Sequence, residues 1–403
     1  MDTITLTEEQ NAAVELAVAN VEAGVPMTTI GGPAGSGKST LLNEIKRRCQ
    51  VDIGISLLPC AYTGKAVQVL RAKGHSEART IHSTIYKMNI DSEETGKLKA
   101  DGSAEFRDKG VFWKIEPEEL QTQGFLVDEA SMISKELLDD LRAFGLPIVF
   151  VGDNAQLPPI SKNDVNLMEN LDVGLQYVHR QGDESGILAL ATAVRTEVQT
   201  LGNTLASFPV EEDGDVFLGS KNEMKSKSLE PDIYICGFNK TRAYLNNLVR
   251  RRKGTADGPL IAEGERIIVH ANDRKLGVFN GQMGTVLGII GTSKARLYPK
   301  HEDAFEVTRW RCSVLFDGEF EARETEISDF GFNGTKIGWG AGGGHYNRAV
   351  IADYGYAITC HKAQGSEWDS VVVINESAPK LWDQSRWLYT AITRASKTLA
   401  LGY

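Results

Sequence analysis

Residues 31–40, "GGPAGSGKST", follow the apolar run "VPMTTI" and precede "TLLNEIKRR". Gly32 to Ser39 fit the pattern G-x-x-x-x-G-K-S in the strand, loop, helix context that this pattern requires. Glycines let backbone N–H groups converge on a phosphate without a Cβ in the way, and the following helix N-terminus adds partial positive charge. Lys38 then reaches the β and γ phosphates, and Ser39 ligates Mg²⁺. The expected ligands are therefore a nucleotide's phosphates and Mg²⁺. The candidate nucleotide contacts in the loop are Gly32, Gly35, Ser36, Gly37, Lys38, Ser39 and Thr40.

Working outward, "GFLVDEASMI" (124–133) reads as a buried parallel strand ending in two carboxylates, Asp128 and Glu129. The C-terminal ends of such strands face the ligand in parallel α/β folds. Asp128 is thus a second candidate metal ligand beside Ser39, and Glu129 is a candidate for orienting and activating an attacking water. A third apolar strand, "LPIVFVGDNAQLPPI" (146–160), runs into Gly152, Asp153 and Gln156, and Gln156 is positioned to sense a γ-phosphate. Alternation of such strands with helical segments such as "SKELLDDLRAF" predicts an α/β fold.

The chain has 403 residues, room for two or three domains at roughly 100–200 residues each. A hydrophobic fraction of 41% and a charged fraction of 24% are ordinary for a folded chain and exclude a disordered or fibrous one. No segment approaches the ~20 apolar residues that span a bilayer, and "MDTITLTEEQ" lacks the features of a signal peptide, so a cytoplasmic protein is expected. Five cysteines without a C-x-x-C pair support neither a disulfide framework nor a zinc site, and read as buried thiols. The net charge of −10 argues against a wholly basic, nucleic-acid-coating surface and leaves room for a basic groove. No internal repeat of fixed period is present.

The order of the segments resembles the superfamily 1 helicases, specifically the RecD/Dda-like branch of superfamily 1B. "LTEEQNAAV" (6–14) is similar to the Q motif, which implies that Gln10 reads the adenine. "CAYTGKAVQVL" (60–70) and "TIHSTIY" (80–86) resemble motifs Ia and Ib, "FLVDEAS" motif II and "VGDNAQLPPI" motif III. "YVHRQ" (177–181) resembles motif IV, with His179 where related helicases often carry a tyrosine, and implies Arg180 as an arginine on the γ-phosphate. "YAITCHKAQGSEWDSVVVI" (356–374) and "WLYTAITRASK" (387–397) resemble motifs V and VI, implying Arg394 as a second finger and Gln364, Gly365 and Glu367 at the nucleotide. An arginine finger is worth about 10³–10⁵ in rate.

This resemblance implies two RecA-like P-loop domains, ATP hydrolysis between them, and 5′-to-3′ movement on single-stranded DNA with separation of duplex ahead. The expected layout is a first RecA-like domain over 1–172 and a second over 173–254 and 346–403. Residues 255–345, rich in short strands and glycine, read as a small antiparallel barrel. "VFNGQMGTV" there resembles the SH3-like insertion of this branch. The polar, turn-rich stretch 84–120 is consistent with a β-hairpin. In the family a hairpin at this place is the duplex-separating pin, which implies Phe106, Phe112 and Trp113 as its aromatics, although a surface excursion packing its own aromatics fits equally. The implied DNA track comprises Thr63, Lys65, His82, Ser83, His361 and Lys362, groups suited to gripping phosphates without reading bases. The run Arg250, Arg251, Arg252, Lys253 fits either a phosphate contact or a solvated helix end. The glycine-rich "GWGAGGGHYN" (338–347) reads as a connector.

Expected partners are single-stranded DNA, single-strand/duplex junctions and single-strand-binding or replication proteins, with the protein acting as a monomer. An RNA-directed translocase and a nucleotide switch without motor activity remain alternatives, because no residue here distinguishes a 2′-hydroxyl.

Overall fold

In the computed structural model, the described residues are 6–98, 104–158, 166–176, 185–196, 205–209, 214–226, 230–270, 277–297, 305–333, 349–378 and 383–403. Two parallel sheets and a closed barrel carry the architecture. The first sheet orders Arg79–Thr80, Leu57–Ala61, Gly124–Asp128, Ile148–Gly152, Met27–Gly31 and Val173–Gly174, all parallel. Its central strand Ile148–Gly152 is buried throughout, as a strand covered on both faces must be. Helix Glu8–Glu22 starts at a capping box: Thr7 and Gln10 each accept a hydrogen bond from the other's backbone N–H. Leu137, Leu138 and Leu141 of helix Lys135–Arg142 supply its apolar stripe to the core.

The second sheet orders Ala357–Thr359, Ile233–Cys236, Trp368–Ile374, Ala395–Gly402 and Val216–Gly219, again all parallel. Helix Gln384–Ile392 packs into its core through Trp387 and Leu388, both fully buried. Between Ile233–Cys236 and Ala357–Thr359 the chain leaves to build the five-stranded barrel. The barrel consists of Arg266–Val269, Met283–Leu297, Phe305–Phe316, Arg323–Ser328 and Val350–Tyr354. Its interior is filled by Val269, Val286, Val314, Phe316 and Ile327.

The barrel extends further along the chain than its composition suggests. Val350–Tyr354, assigned to the second RecA-like domain in the sequence reading that starts at residue 346, pairs with Arg266–Val269 and Arg323–Ser328 and closes the barrel. The return to the second sheet is fixed by buried Asn246. Its Nδ2 donates to Tyr354 O (3.1 Å), and its Oδ1 accepts from Tyr356 N (3.1 Å) and Ala357 N (2.8 Å). An amide that satisfies three backbone groups leaves none orphaned at the crossover.

The stretch 84–120 holds an antiparallel two-stranded ladder, Tyr86–Leu98 with Ala104–Lys114. Phe106, Phe112 and Trp113 lie opposite Glu94, Met88 and Lys87 in its register, and their side chains fall outside what the structure describes. The segment 338–347 lies outside the described residues. All five cysteines are buried and unbonded. Among the described residues, no helix is long and apolar enough to cross a membrane.

The basic run at 250–253 has neither of the two expected roles throughout. Arg250 is buried, with Nε on Glu265 Oε1 (2.8 Å), an Nη2 donor to Thr255 O (2.8 Å), and its guanidinium 4.3 Å from the Tyr354 ring centroid. Tyr356 donates to the other Glu265 oxygen at 2.8 Å. Arg252 donates to Lys225 O (2.6 Å), and the Lys253 ammonium sits 5.0 Å from the Tyr356 ring. The Arg250–Glu265 pair therefore joins the second α/β unit to the barrel. Replacing Glu265 with Ala strands a buried guanidinium, so urea denaturation should show a loss of about 3–5 kcal/mol. Glu265→Gln, which keeps an acceptor but loses the charge, should cost less than Ala; a Gln variant as stable as wild type would refute the role of the charge.

Candidate active site

The three segments singled out in the first unit converge at the carboxyl edge of its sheet, each leaving a strand end. Gly32 N donates to Gly152 O at 3.0 Å, which fastens the phosphate loop to the third segment. Gly37 begins helix Lys38–Asp52 with φ of 80°, and a Cβ there would stand 2.3 Å from Gln10 Nε2. That close approach is needed because Gln10 Nε2 donates to Ser36 O (3.0 Å). Buried Gln10 thus braces the loop and caps its own helix at once.

Lys38 Nζ donates to Gly32 O and Pro33 O, both at 2.8 Å, and lies 3.9 Å from an Asp153 carboxylate oxygen. These carbonyls are weak substitutes for phosphate oxygens, so the ammonium is available to a better anion. Ser36 Oγ, Ser131 Oγ and Gln156 Oε1 are buried at this edge without a hydrogen-bond partner. Buried polar atoms are rarely left so, and such atoms fit a site that a polar ligand completes.

Burial, reinforced by the neighbouring Glu129 carboxylate and opposed by Lys38 and Lys73, pushes the Asp128 carboxyl up to about 6. A carboxylate such as Asp128 and a hydroxyl such as Ser39 are the hard oxygen donors that Mg²⁺ takes, with one or two carboxylates per site alongside phosphate. Ser39 Oγ accepts from Lys73 Nζ at 2.7 Å, so a lysine outside every motif holds the candidate metal-ligand hydroxyl. Glu129 has φ of 54°, the one left-handed non-glycine residue among those described. Such strain costs about 1–3 kcal/mol and persists where the surroundings impose it, most often at functional sites.

The second unit forms the facing wall. Tyr389 accepts from Ala34 N (2.9 Å) and donates to Asp153 Oδ2 (2.7 Å). Leu157 is held on both sides, its N–H donating to Thr390 Oγ1 (2.9 Å) and its carbonyl accepting from Gln364 Nε2 (2.8 Å). A Cβ on Gly365 would lie 3.4 Å from Ala66, 3.5 Å from Thr63 Oγ1 and 3.8 Å from Glu129. Buried Arg394 donates to Thr390 O (3.0 Å), Ser366 O (3.0 Å) and Thr393 Oγ1 (3.1 Å), which ties its helix end to the 364–366 turn. Exposed Glu367 follows the 364–366 turn, and partly buried Thr40 lies in the first turn of helix Lys38–Asp52.

With this geometry, two family models align along the chain: one described as an AAA domain over residues 5–208, and one described as a UvrD-like helicase C-terminal domain over 354–401. The chain belongs to the superfamily 1B helicases of the RecD/Dda/Pif1 type. It is 26% identical over 418 residues to the ATP-dependent RecD2 DNA helicase of Deinococcus radiodurans, covering 97% of this chain and 48% of that protein. It is 30% identical over 162 residues to the ATP-dependent DNA helicase dda of Enterobacteria phage T4, covering 40% of this chain and 34% of that one. The chain thus spans half or less of the length of these two relatives. A Pif1 helicase from Bacteroides, solved with ADP-AlF3 and single-stranded DNA, shares the fold with a TM-score of 0.58 at 18% identity, over 100% of this chain and 93% of that one. The two α/β units are accordingly the RecA-like domains of this helicase family.

The residues expected to meet nucleic acid sit on or cap short helices of both units. Thr63 caps helix Gly64–Ala72, its Oγ1 accepting from Ala66 N at 3.1 Å. Gly64 meets the barrel so closely that a Cβ would fall 2.5 Å from Phe279. Burial pulls the Lys65 ammonium below its usual range, with Asp317 opposing and Arg266 assisting. His82 sits between Tyr62 and Tyr86, with ring centroids 5.7 Å from each, and burial lowers its pKa. Exposed Ser83 donates to Thr80 O (2.8 Å), and His361 is partly buried. Lys362 is exposed over much of its length, yet its Nζ lies 2.6 Å from His270 Nδ1 in a group that includes Asp353 and Arg242. Loss of hydration at that end, aided by Arg242 and opposed by Asp353, lowers its pKa to about 8. Arg180 and His179 lie outside the described residues.

Tyr389, Thr390, Lys73 and Phe279 escaped the sequence reading. Two hydroxyls inside the otherwise apolar "WLYTAI" carried a signal, since buried hydroxyls need partners; Lys73 and Phe279 carried none. Gln10→Ala should remove the capping box and the brace on Ser36. We expect a stability loss of about 1 kcal/mol by thermal denaturation, with weaker nucleotide binding by fluorescent-ADP titration. Unchanged binding would remove Gln10 from the site.

Proposed function

We propose that this protein is an ATP-dependent DNA helicase that moves 5′ to 3′ on single-stranded DNA and separates duplex, driven by Mg-ATP hydrolysis between its two RecA-like domains. The observation that carries this reading is that Tyr389, Thr390 and Gln364 of the second unit bond across one cleft to the phosphate loop at Ala34 and to the Asp153–Leu157 turn beside Lys38. Hydrolysis in such a cleft changes the contacts of both walls, which couples it to motion between them.

Lys38 leaves the Gly32 and Pro33 carbonyls to bind the β and γ phosphates, and Gln10 and the 364–367 turn border the rest of the nucleotide. Mg²⁺, held by Ser39 and Asp128, neutralises phosphate charge when bound. Glu129 orients the attacking water and accepts its proton, Gln156 reads the γ-phosphate, and Arg180 and Arg394 stabilise the charge that develops on it. Thr63, Lys65, His82, Ser83, His361 and Lys362 line the strand's path. The barrel acts as the SH3-like domain, and the hairpin, with Phe106, Phe112 and Trp113, acts as the pin. Single-stranded DNA, junctions and single-strand-binding proteins are its partners.

Steady-state ATPase should rise strongly with single-stranded DNA and be lost, by about 10³-fold or more, in Lys38→Ala and Glu129→Gln. Stimulation by RNA in place of DNA would redirect the reading to an RNA translocase, and none by either nucleic acid would overturn it.

Binding should also depend on pH through Lys362. Its ammonium is charged below about 8 and loses its proton above, so affinity for a labelled oligonucleotide should hold near neutrality and fall as pH rises through about 8. Lys362→Arg, which stays protonated, should flatten that profile in fluorescence anisotropy at constant ionic strength. An identical fall in the arginine variant would remove Lys362 from the DNA track.

A further inference from the structure

The turn from Asp153 to Leu157 is gripped from the second RecA-like domain at both ends. At one end Asp153, itself 1% exposed, takes the Tyr389 hydroxyl on Oδ2, while its Oδ1 accepts from Ala155 N at 3.0 Å. At the other end Leu157 is held by Thr390 and Gln364. Gln156, with its Oε1 buried and unpartnered, lies between the two grips. The same phenol oxygen that donates to Asp153 accepts from Ala34 N in the phosphate loop. One buried atom of the second domain, on a side chain 2% exposed, therefore contacts two of the segments that meet the phosphates.

We infer that Tyr389 is a positioning residue, whose hydroxyl sets the phosphate loop against the Asp153–Leu157 turn and transmits nucleotide-driven change there to the second domain. The chemistry is suited to the role. A phenol has one proton and two acceptor sites, so it can serve a carboxylate and a backbone N–H together, and the bond to an ionised carboxylate is a strong one. Burial in first place, with the Asp153 charge, drives the phenol pKa above its usual range, so the proton stays on oxygen at any working pH. Asp153 also lies 3.9 Å from the Lys38 ammonium. When Lys38 moves onto phosphate, the charge facing Asp153 changes, and Tyr389 is the group on the second domain that shares that carboxylate. Rotation of the helix Gln384–Ile392 away from the cleft would break the contacts to Ala34 and Asp153 together.

This inference rests on the helicase reading for its consequence, and its geometry can be tested without it. Tyr389→Phe keeps the ring and removes both hydrogen bonds. Amide hydrogen exchange over residues 33–37 and 153–157 should quicken in the variant while its melting temperature stays close to wild type. DNA-stimulated kcat should fall roughly tenfold or more, with KM for ATP and affinity for single-stranded DNA within about twofold. The double variant Tyr389→Phe/Asp153→Ala should lose less than the two single losses combined, because the Tyr389–Asp153 bond is removed in both. Exchange and kcat at wild-type values would overturn the inference. So would a general loss, in which melting temperature, kcat, KM and DNA affinity all worsen together, since that marks a packing role. A wild-type enzyme without DNA stimulation, but with exchange quickened in Tyr389→Phe, would overturn the helicase reading and leave the positioning role standing.

Discussion

A lysine ammonium placed in a ring of backbone dipoles needs an anion, and much of this structure follows from that need. Lys38 is answered by two carbonyls and, at 3.9 Å, by Asp153. Neither matches the phosphate oxygens that the loop's glycine backbone is shaped to receive. The carboxylates at the neighbouring strand end are equally unresolved: Asp128 rises to about 6 because burial and Glu129 both disfavour its charge. The cleft thus sets Lys38 and Lys73 against the crowded Asp128 and Glu129 and the nearby Asp153, a charge balance that a polar ligand can complete. The left-handed backbone of Glu129 belongs to the same arrangement, as strain that the surrounding fold enforces.

The second domain responds to the same constraint from the other side. It offers hydroxyl and amide groups, from Tyr389, Thr390 and Gln364, that reach across to backbone atoms of the first domain. Contacts of this kind are directional and short, so they register small displacements of the turn they hold. A purely apolar interface would slide with little penalty, whereas a buried hydrogen bond that is pulled apart leaves both partners unsatisfied, at about 1–3 kcal/mol each.

The barrel is more than an appendage to this arrangement. Arg250 and Glu265 anchor it to the second domain, Asn246 fixes the crossover by which the chain returns from it, and Phe279 rests against Gly64 of the first domain. The lysines expected to meet nucleic acid, Lys65 and Lys362, both have charged neighbours from the barrel: Arg266 and Asp317 in one case, His270 and Asp353 in the other. Their lowered pKa values are a property of this meeting of domains.

The sequence by itself determined the phosphate loop, the two carboxylates and the alternation that makes parallel sheets, because each depends on residues within a few positions of one another. Gly37 and Lys38 declare a loop wherever they fall between a strand and a helix, and "IVFVG" declares a buried strand. It also marked the barrel by its change to short strands and glycines, but placed the return four residues before Val350–Tyr354, whose partners lie some 80 residues away in Arg266–Val269. Only the tertiary structure decided that Arg250 is a buried anchor, that Lys73 holds Ser39, and that Tyr389 touches the phosphate loop. A surface arginine and a buried one look alike in a helix pattern. Which it becomes depends on whether a carboxylate such as Glu265 arrives from another part of the chain to offset the loss of water.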